Sequence, residues 1–182
     1  MPEFTMHILI DGYNLIRQSV SLKRFERQSL DAGRKALIAW LADYRRRKEH
    51  RITVVFDGWE SGPAQEERDY SSGIFIIYSG RGVKADDVLK RITASTDEEI
   101  LVVSSDREIS SFAVRRGKAT LSSAEFESIV NKQSSTSADD QLPAQKDENE
   151  EEEENSRPVN KKGTAHKLSR AQRQAQSKIR KL

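Results

Sequence analysis

The chain has 182 residues, 35% hydrophobic and 33% charged, a polar balance that suits one folded domain with an unstructured appendage. It contains no cysteine, which excludes disulfides, thiolate zinc sites and cysteine nucleophiles, and its three histidines (His7, His50, His166) share no ligand spacing. Any bound metal must therefore be held by oxygen, which favours magnesium, manganese or calcium over zinc. The net charge of +2 conceals charges segregated along the chain. No apolar run approaches the roughly 18 residues that a membrane span needs, and no signal peptide is visible, so a cytoplasmic location is expected.

Residues 1–5 are set aside as a foreign or flexible N-terminus, because Met6 leads directly into the first element. That element is the apolar run of HILIDGYNLI, a short buried strand that ends abruptly at Asp11-Gly12. Residues 17–27 read as a basic connection. Residues 28–49 read as a long helix, with Leu30, Leu37, Trp40, Leu41 and Tyr44 in one stripe, and with Arg45, Arg46 and Arg47 at the negative end of its dipole. Those arginines serve equally as a solvated terminus or as an RNA contact. A second strand, residues 52–56, ends at Asp57-Gly58. Residues 59–72, with Gly62-Pro63, read as a loop with one helical turn. Then come a strand at 74–78, a flexible loop at 79–82, a helix at 85–94, a strand at 100–103 and a helix at 107–116 stopped by Gly117. A short edge strand at 118–121 and a helix at 123–130 capped by Ser123 follow.

Strands alternating with helices call for a mainly parallel sheet of about five strands with right-handed crossovers and helices on both faces. The domain is expected to span residues 6–132, and residues 133–182 to be a disordered tail, acidic at 147–154 and then basic. The last fourteen residues are expected to become helical on a partner.

Carboxylates recur where the strands end. Asp11, Asp57 and Asp106 close three strands, and Asp86 and Asp87 lie just beyond the fourth. In an open parallel sheet the carboxyl ends of the strands are where ligands bind. Each acid has a structural alternative: Asp11-Gly12 and Asp57-Gly58 are turn dipeptides, and Asp86 and Asp106 precede helices as N-caps do. Capping does not require an acid after nearly every strand, however, and adjacent acids repel without a cation. The set therefore predicts an acidic, metal-binding rim. Asn14 would orient a phosphate or a water there, or bond locally. Ser104 is a strand-end hydroxyl or a group supporting a ligand. Tyr13 and Trp59 would stack on bases or pack, and Arg81, Lys84 and Arg107 would grip a phosphodiester backbone. Clustered carboxylates bind one or two divalent ions, which activate a water for in-line attack on phosphate.

The ordered motifs ILIDGYNLI, VVFDG, YSGRGVKADDVL and VVSSDREI closely resemble the NYN domain family in its YacP-like branch, relatives of the PIN nucleases. The resemblance covers roughly residues 6–132. It implies a PIN-like α/β sandwich of three layers and ribonuclease activity dependent on Mg2+ or Mn2+. By motif, the family's first-strand acid falls on Asp11, its following asparagine on Asn14, and its second-strand acid on Asp57. The Ala-Asp-Asp helix start falls on Asp86 and Asp87, and the Ser-x-Asp element on Ser104 and Asp106. The tail has no counterpart in this resemblance.

The expected function is a metal-dependent RNA endonuclease acting on messenger, ribosomal or structured precursor RNA. The alternative is an RNA- or ribosome-binding module with weak or lost cleavage, drawing its affinity from the basic tail. A phosphotransfer domain fits less well, because Asp11 lacks the second nearby acid that such domains use.

Overall fold

Five consecutive buried residues make His7–Asp11 a strand, β1, in which Ile8 and Ile10 face one side of the sheet and Leu9 the other. A strand apolar on both faces requires cover on both, which helical crossovers between parallel strands provide. The structure, a computed structural model of the chain, describes residues 6–58 and 62–136, with side chains as far as Lys132. Trp59 and the acidic and basic tail blocks lie outside the described residues.

Three helices follow β1: α1 (Gly12–Gln18), α2 (Val20–Glu26) and α3 (Leu30–Arg47). Next come β2 (Arg51–Phe56), β3 (Glu67–Ser71), β4 (Ile74–Tyr78) and α4 (Ala85–Ser95). The described chain finishes with β5 (Ile100–Val103), α5 (Arg107–Arg115), β6 (Ala119–Leu121) and α6 (Ser123–Thr136). The strands form a single sheet in the order β3-β4-β2-β1-β5-β6, with every neighbouring pair parallel except β3 with β4.

The pleat sends alternate residues into two cores. Ile8, Ile10, Val54, Phe56, Leu101 and Val103 join Leu37, Leu41, Tyr44 and Phe126 beneath α1, α3 and α6. Leu9, Val55, Ile100 and Val102 join Val88, Leu89, Ile109 and Ala113 beneath α4 and α5. The rings of Trp40 and Tyr44 on α3 meet Phe126 edge-on at 6.0 and 5.9 Å, which locks α6 to α3. Burying one such ring contributes about 1.5–3 kcal/mol.

From β1 the chain winds outward through β2 to β4, then α4 carries it back across to β5 on the other side of β1. The strand order therefore reverses between β1 and β5, and a crevice opens at the carboxyl ends of those two strands, as it does at the switch point of other open α/β sheets.

Four local expectations are corrected. Residues 17–27 are not a connection but the end of α1 and the whole of α2, with Ser19 closing one helix and capping the next by accepting from Leu22 N at 3.1 Å. The sheet has six strands because residues 67–71 pair with β4. Ser72 and Gly73 take φ of 52° and 85°, the left-handed pair that closes a two-residue hairpin. Leu30 lies off the buried stripe of α3 and is exposed at its N-terminus. Finally, α6 is capped by Ser122: its hydroxyl accepts from Glu125 N, and Glu125 Oε2 accepts in return from Ser122 N at 2.9 Å. The stop at Gly117 is borne out, with φ of 71°.

Candidate active site

Asp11 is the last residue of β1 and also the N-cap of α1. Its Oδ1 accepts from the backbone N–H of Asn14 at 3.3 Å, and its Oδ2 accepts from the Ser104 hydroxyl at 3.0 Å. The turn is tight because α1 starts at once. A Cβ on Gly12 would come within 2.5 Å of the Phe56 ring, so only glycine lets the helix pack this closely on β2. The carboxylate is buried, and the pKa of Asp11 is raised from 3.8 to about 6. Desolvation is the main cause, opposed by the bonds from Asn14 and Ser104 and reinforced by the charges of Asp86 and Asp106.

Ser104, just past the end of β5, is buried and links two acids: its hydroxyl donates to Asp11 and accepts from Asp106 N at 3.1 Å. Asp106 caps α5, its Oδ1 accepting from Glu108 N at 2.6 Å and Ile109 N at 3.2 Å. The structural role that the sequence allowed for Asp106 is thus real and coexists with its place at the rim. Asp86 is not a cap. It sits in the first turn of α4, half-buried, and burial followed by the charge of Asp106 raises its pKa. Asp57, just past β2, accepts a long 3.5 Å bond from Ala85 N, which ties the start of α4 to the sheet edge.

Asp11, Asp57, Asp86 and Asp106 line one open cleft of about 590 Å³, together with Asn14 and Lys84. Asn14 holds the cleft wall: its Oδ1 accepts from Ser105 N at 2.9 Å and from the Ser123 hydroxyl at 2.7 Å. Its amide nitrogen has no protein partner among the described residues.

Other expected site residues stand apart. Asp87 is exposed on the first turn of α4 and does not line the cleft, nor do Arg81 and Arg107, which are exposed on the loop after β4 and at the start of α5. Arg45, Arg46 and Arg47 end α3 at the opposite pole of the sheet. Arg46 and Arg47 pair there with Asp43, and Arg45 packs over Gly73. At about 1.5 Å per residue, these arginines lie over 20 Å along the helix from Leu30, which touches the cleft. Sequence reasoning missed Arg17 and Gln18, which line the cleft from the last turn of α1. Arg17 lies over the Tyr13 ring at 5.4 Å and pairs with Glu26 at 3.1 Å. Seven residues are too few for a helical stripe to show, so no sequence signal placed them there.

No three His, Asp or Glu side chains among the described residues stand close enough to enclose an ion between them. Magnesium, however, is commonly held by one or two protein carboxylates plus waters and substrate phosphates. The donors lining the cleft are oxygens, the ligand type that such a hard cation takes.

A mainly parallel sheet with helices on both faces and acids gathered at its switch point is the architecture of a PIN-like α/β domain. The sequence matches the family described as YacP-like NYN domain over residues 8–181, and the chain belongs to that family. The match runs on through residues 133–181, where the motifs alone suggested no counterpart. Among relatives, the uncharacterized protein YacP of Bacillus subtilis (strain 168) is 26% identical over 102 residues, which are 54% of this chain and 59% of that protein's length. Two crystal structures of Rae1 (YacP) from Bacillus subtilis share the fold at 23% identity. One, of a point mutant, superposes with a TM-score of 0.61, covering 72% of this chain and 79% of that one. The other gives 0.59, covering 72% and 76%. No helix among the described residues is long and apolar enough to cross a membrane.

Proposed function

We propose that the chain is a divalent-metal-dependent RNA endonuclease that hydrolyses phosphodiester bonds in the cleft at the end of β1. The observation that carries this reading is the arrival of Asp11, Asp57, Asp86 and Asp106, from four separate parts of the chain, in a single cleft. Membership of a family related to the PIN nucleases supports it. Asp11 with Asp106, helped by Asp86 and Asp57, would hold the ion, Mg2+ or Mn2+. When bound, the ion supplies charge neutralisation at the phosphate and an activated water, so no histidine or cysteine nucleophile is required. Ser104 fixes the orientation of Asp11 relative to Asp106. Lys84 and Arg17 draw the RNA backbone toward an otherwise negative site, and the Asn14 amide offers a donor to a phosphate oxygen. The products would be a 5′-phosphate and a 3′-hydroxyl.

The test is cleavage of a mixed RNA pool in manganese, magnesium or EDTA by wild type and by Asp11→Asn. The expected result is metal-dependent products that vanish in the variant. Products ending in 2′,3′-cyclic phosphates would refute the mechanism. One rival, an RNA- or ribosome-binding module with weak or lost catalysis, is favoured by the lack of a three-acid cluster among the described residues. That rival predicts full RNA affinity and no cleavage in any metal.

A further inference from the structure

The acid cleft does not end at Asp57. It continues past Tyr13, Leu30 and Asp57 into a smaller cavity of about 220 Å³, which is also lined by Pro63, Arg34, Glu67 and Tyr78. That volume is below the roughly 300–1,000 Å³ of sites for larger ligands. It suits one planar group.

The walls are aromatic. Phe56 stacks with Tyr78 at 5.7 Å and meets Tyr13 edge-on at 5.2 Å, which fixes the two tyrosines on one rigid strand-based support. Arg34, on the second turn of α3, lies over the Tyr78 ring at 5.6 Å. Its Nε is enclosed and makes no hydrogen bond, and its only ion pair among the described residues is a loose 4.0 Å contact with Asp31. Glu67, which also lines the cavity, occupies the β3 position in register with Tyr78, so its side chain leaves the sheet on the same face. Glu67 forms no ion pair among the described residues, with Arg34 or with any other cation. The cavity is thus lined by a guanidinium with one unbonded nitrogen and by an exposed carboxylate that makes no ion pair among the described residues, together with two tyrosine rings.

We infer that this cavity is a base-reading subsite selective for guanine, taking the nucleobase that adjoins the scissile phosphate. The inference rests on the nuclease reading above for its place next to the scissile bond. Guanine presents two acceptors, O6 and N7, that match the arginine fork, and two donors, N1–H and N2–H2, that match a carboxylate. Uracil offers two acceptors but only one donor, so it ranks second. Adenine sets its amino donor beside N7, against the guanidinium, and cytosine, whose O2 and N3 can meet the fork, has only one amino group for the carboxylate, so both are disfavoured. Single-stranded RNA is commonly read in this way, by one unstacked base held on aromatic or guanidinium surfaces and hydrogen-bonded at its edges.

The experiment is an NMR titration of the full chain in EDTA with guanosine, adenosine, uridine and cytidine, read from the Tyr13 and Tyr78 ring signals. Guanosine is expected to bind roughly tenfold tighter than adenosine or cytidine, with uridine between them. Arg34→Lys keeps the charge but loses the fork, and should bring guanosine and adenosine to near equality. Glu67→Gln, on an exposed strand, should narrow the gap between guanosine and uridine, and it provides the comparison if Arg34→Lys lowers the melting temperature. Equal binding of all four nucleosides, or a guanosine preference that survives both variants, overturns the subsite. If RNA is cleaved in manganese but the nucleosides bind equally, the subsite is overturned and the nuclease reading stands. If guanosine preference follows Arg34 and Glu67 but no RNA is ever cleaved, the nuclease reading fails and the subsite stands.

Discussion

Replacing Asp11 by Asn should abolish cleavage and at the same time make the metal-free protein more stable. The carboxyl group titrates at 3.8 in an unfolded chain and at about 6 in the fold. Between those two values the unfolded chain loses its proton while the folded one keeps it, so stability falls as pH rises through that window and stays lower above it. At roughly 1.4 kcal/mol for each pH unit, ionised Asp11 costs the folded protein about 3 kcal/mol at neutral pH. Asn removes this cost but keeps only part of the bonding to Asn14 N and Ser104, a loss of about 1 kcal/mol. The net gain of about 2 kcal/mol corresponds to a melting temperature about 6 °C higher. Near pH 4 the ionisation cost has almost disappeared, so the advantage of the variant should vanish or reverse. The assay is thermal unfolding of both proteins in EDTA at several values between pH 4 and pH 7.5. A variant no more stable than wild type at pH 7.5, or one whose advantage does not shrink toward pH 4, would refute the account of Asp11. Taking a difference between the two proteins cancels the titrating groups that lie away from Asp11, leaving only its neighbours Asp86 and Asp106 to contribute.

His7 provides an effect of opposite sign. Buried on β1 and bonded to Thr53 at 2.9 Å, it has a pKa lowered to about 4, chiefly by desolvation and next by Arg51, so stability should be lost as pH falls from 6.5 toward 4. His7→Gln should flatten that acid limb in denaturant titrations; an unchanged limb would contradict the assignment. Gly12→Ala forces a methyl into the Phe56 ring and should cost about 1–3 kcal/mol while displacing the Asp11 cap, seen as a lower melting temperature together with slower cleavage. Ser104→Ala strands Asp106 N and removes a donor from Asp11, so the Asp11 titration followed by NMR should move above its wild-type position. Neutralising Lys161, Lys162, Lys167 and Arg170 with glutamine should weaken RNA binding and lower its salt dependence. The logarithmic slope should fall by up to roughly 0.7 for each single-strand phosphate that is no longer neutralised. An unchanged slope would show that these residues touch no phosphate.

The long buried elements were legible because each obeys a single period. β5 lies at the predicted bounds, and β1, β2 and β4 carry apolar runs that two-sided burial demands. β3 was not legible. ERDYS is an edge strand exposed along almost its whole length, so it has no apolar alternation, and only the Ser72-Gly73 turn marks the hairpin. α1 and α2 were missed because each has seven residues, too few for a stripe to show. At the site, strand-end position pointed to Asp11, Asp57 and Asp106, since a residue ending a parallel strand has few places to go. Helical phase separates Asp86 from Asp87, and the adjacent acids gave no sign of which one would turn inward. The basic run at Arg45 could not be placed by composition, because the pole at which a helix ends depends on the sheet direction.

The bonds that assemble the cleft join residues very far apart along the chain. Ser104 reaches Asp11 across 93 positions, and Ser123 reaches Asn14 across 109. β1, the first strand to be synthesised, lies in the middle of the sheet and lacks its β5 neighbour until residues 100–103 have emerged. Contacts of this separation form late and slowly, because the loop between them must close first. A growing chain carries Asp11 long before it can orient it, so the cleft stays unassembled until β5 and α6 have both been made. Its wall would close in one late step, with the docking of α6.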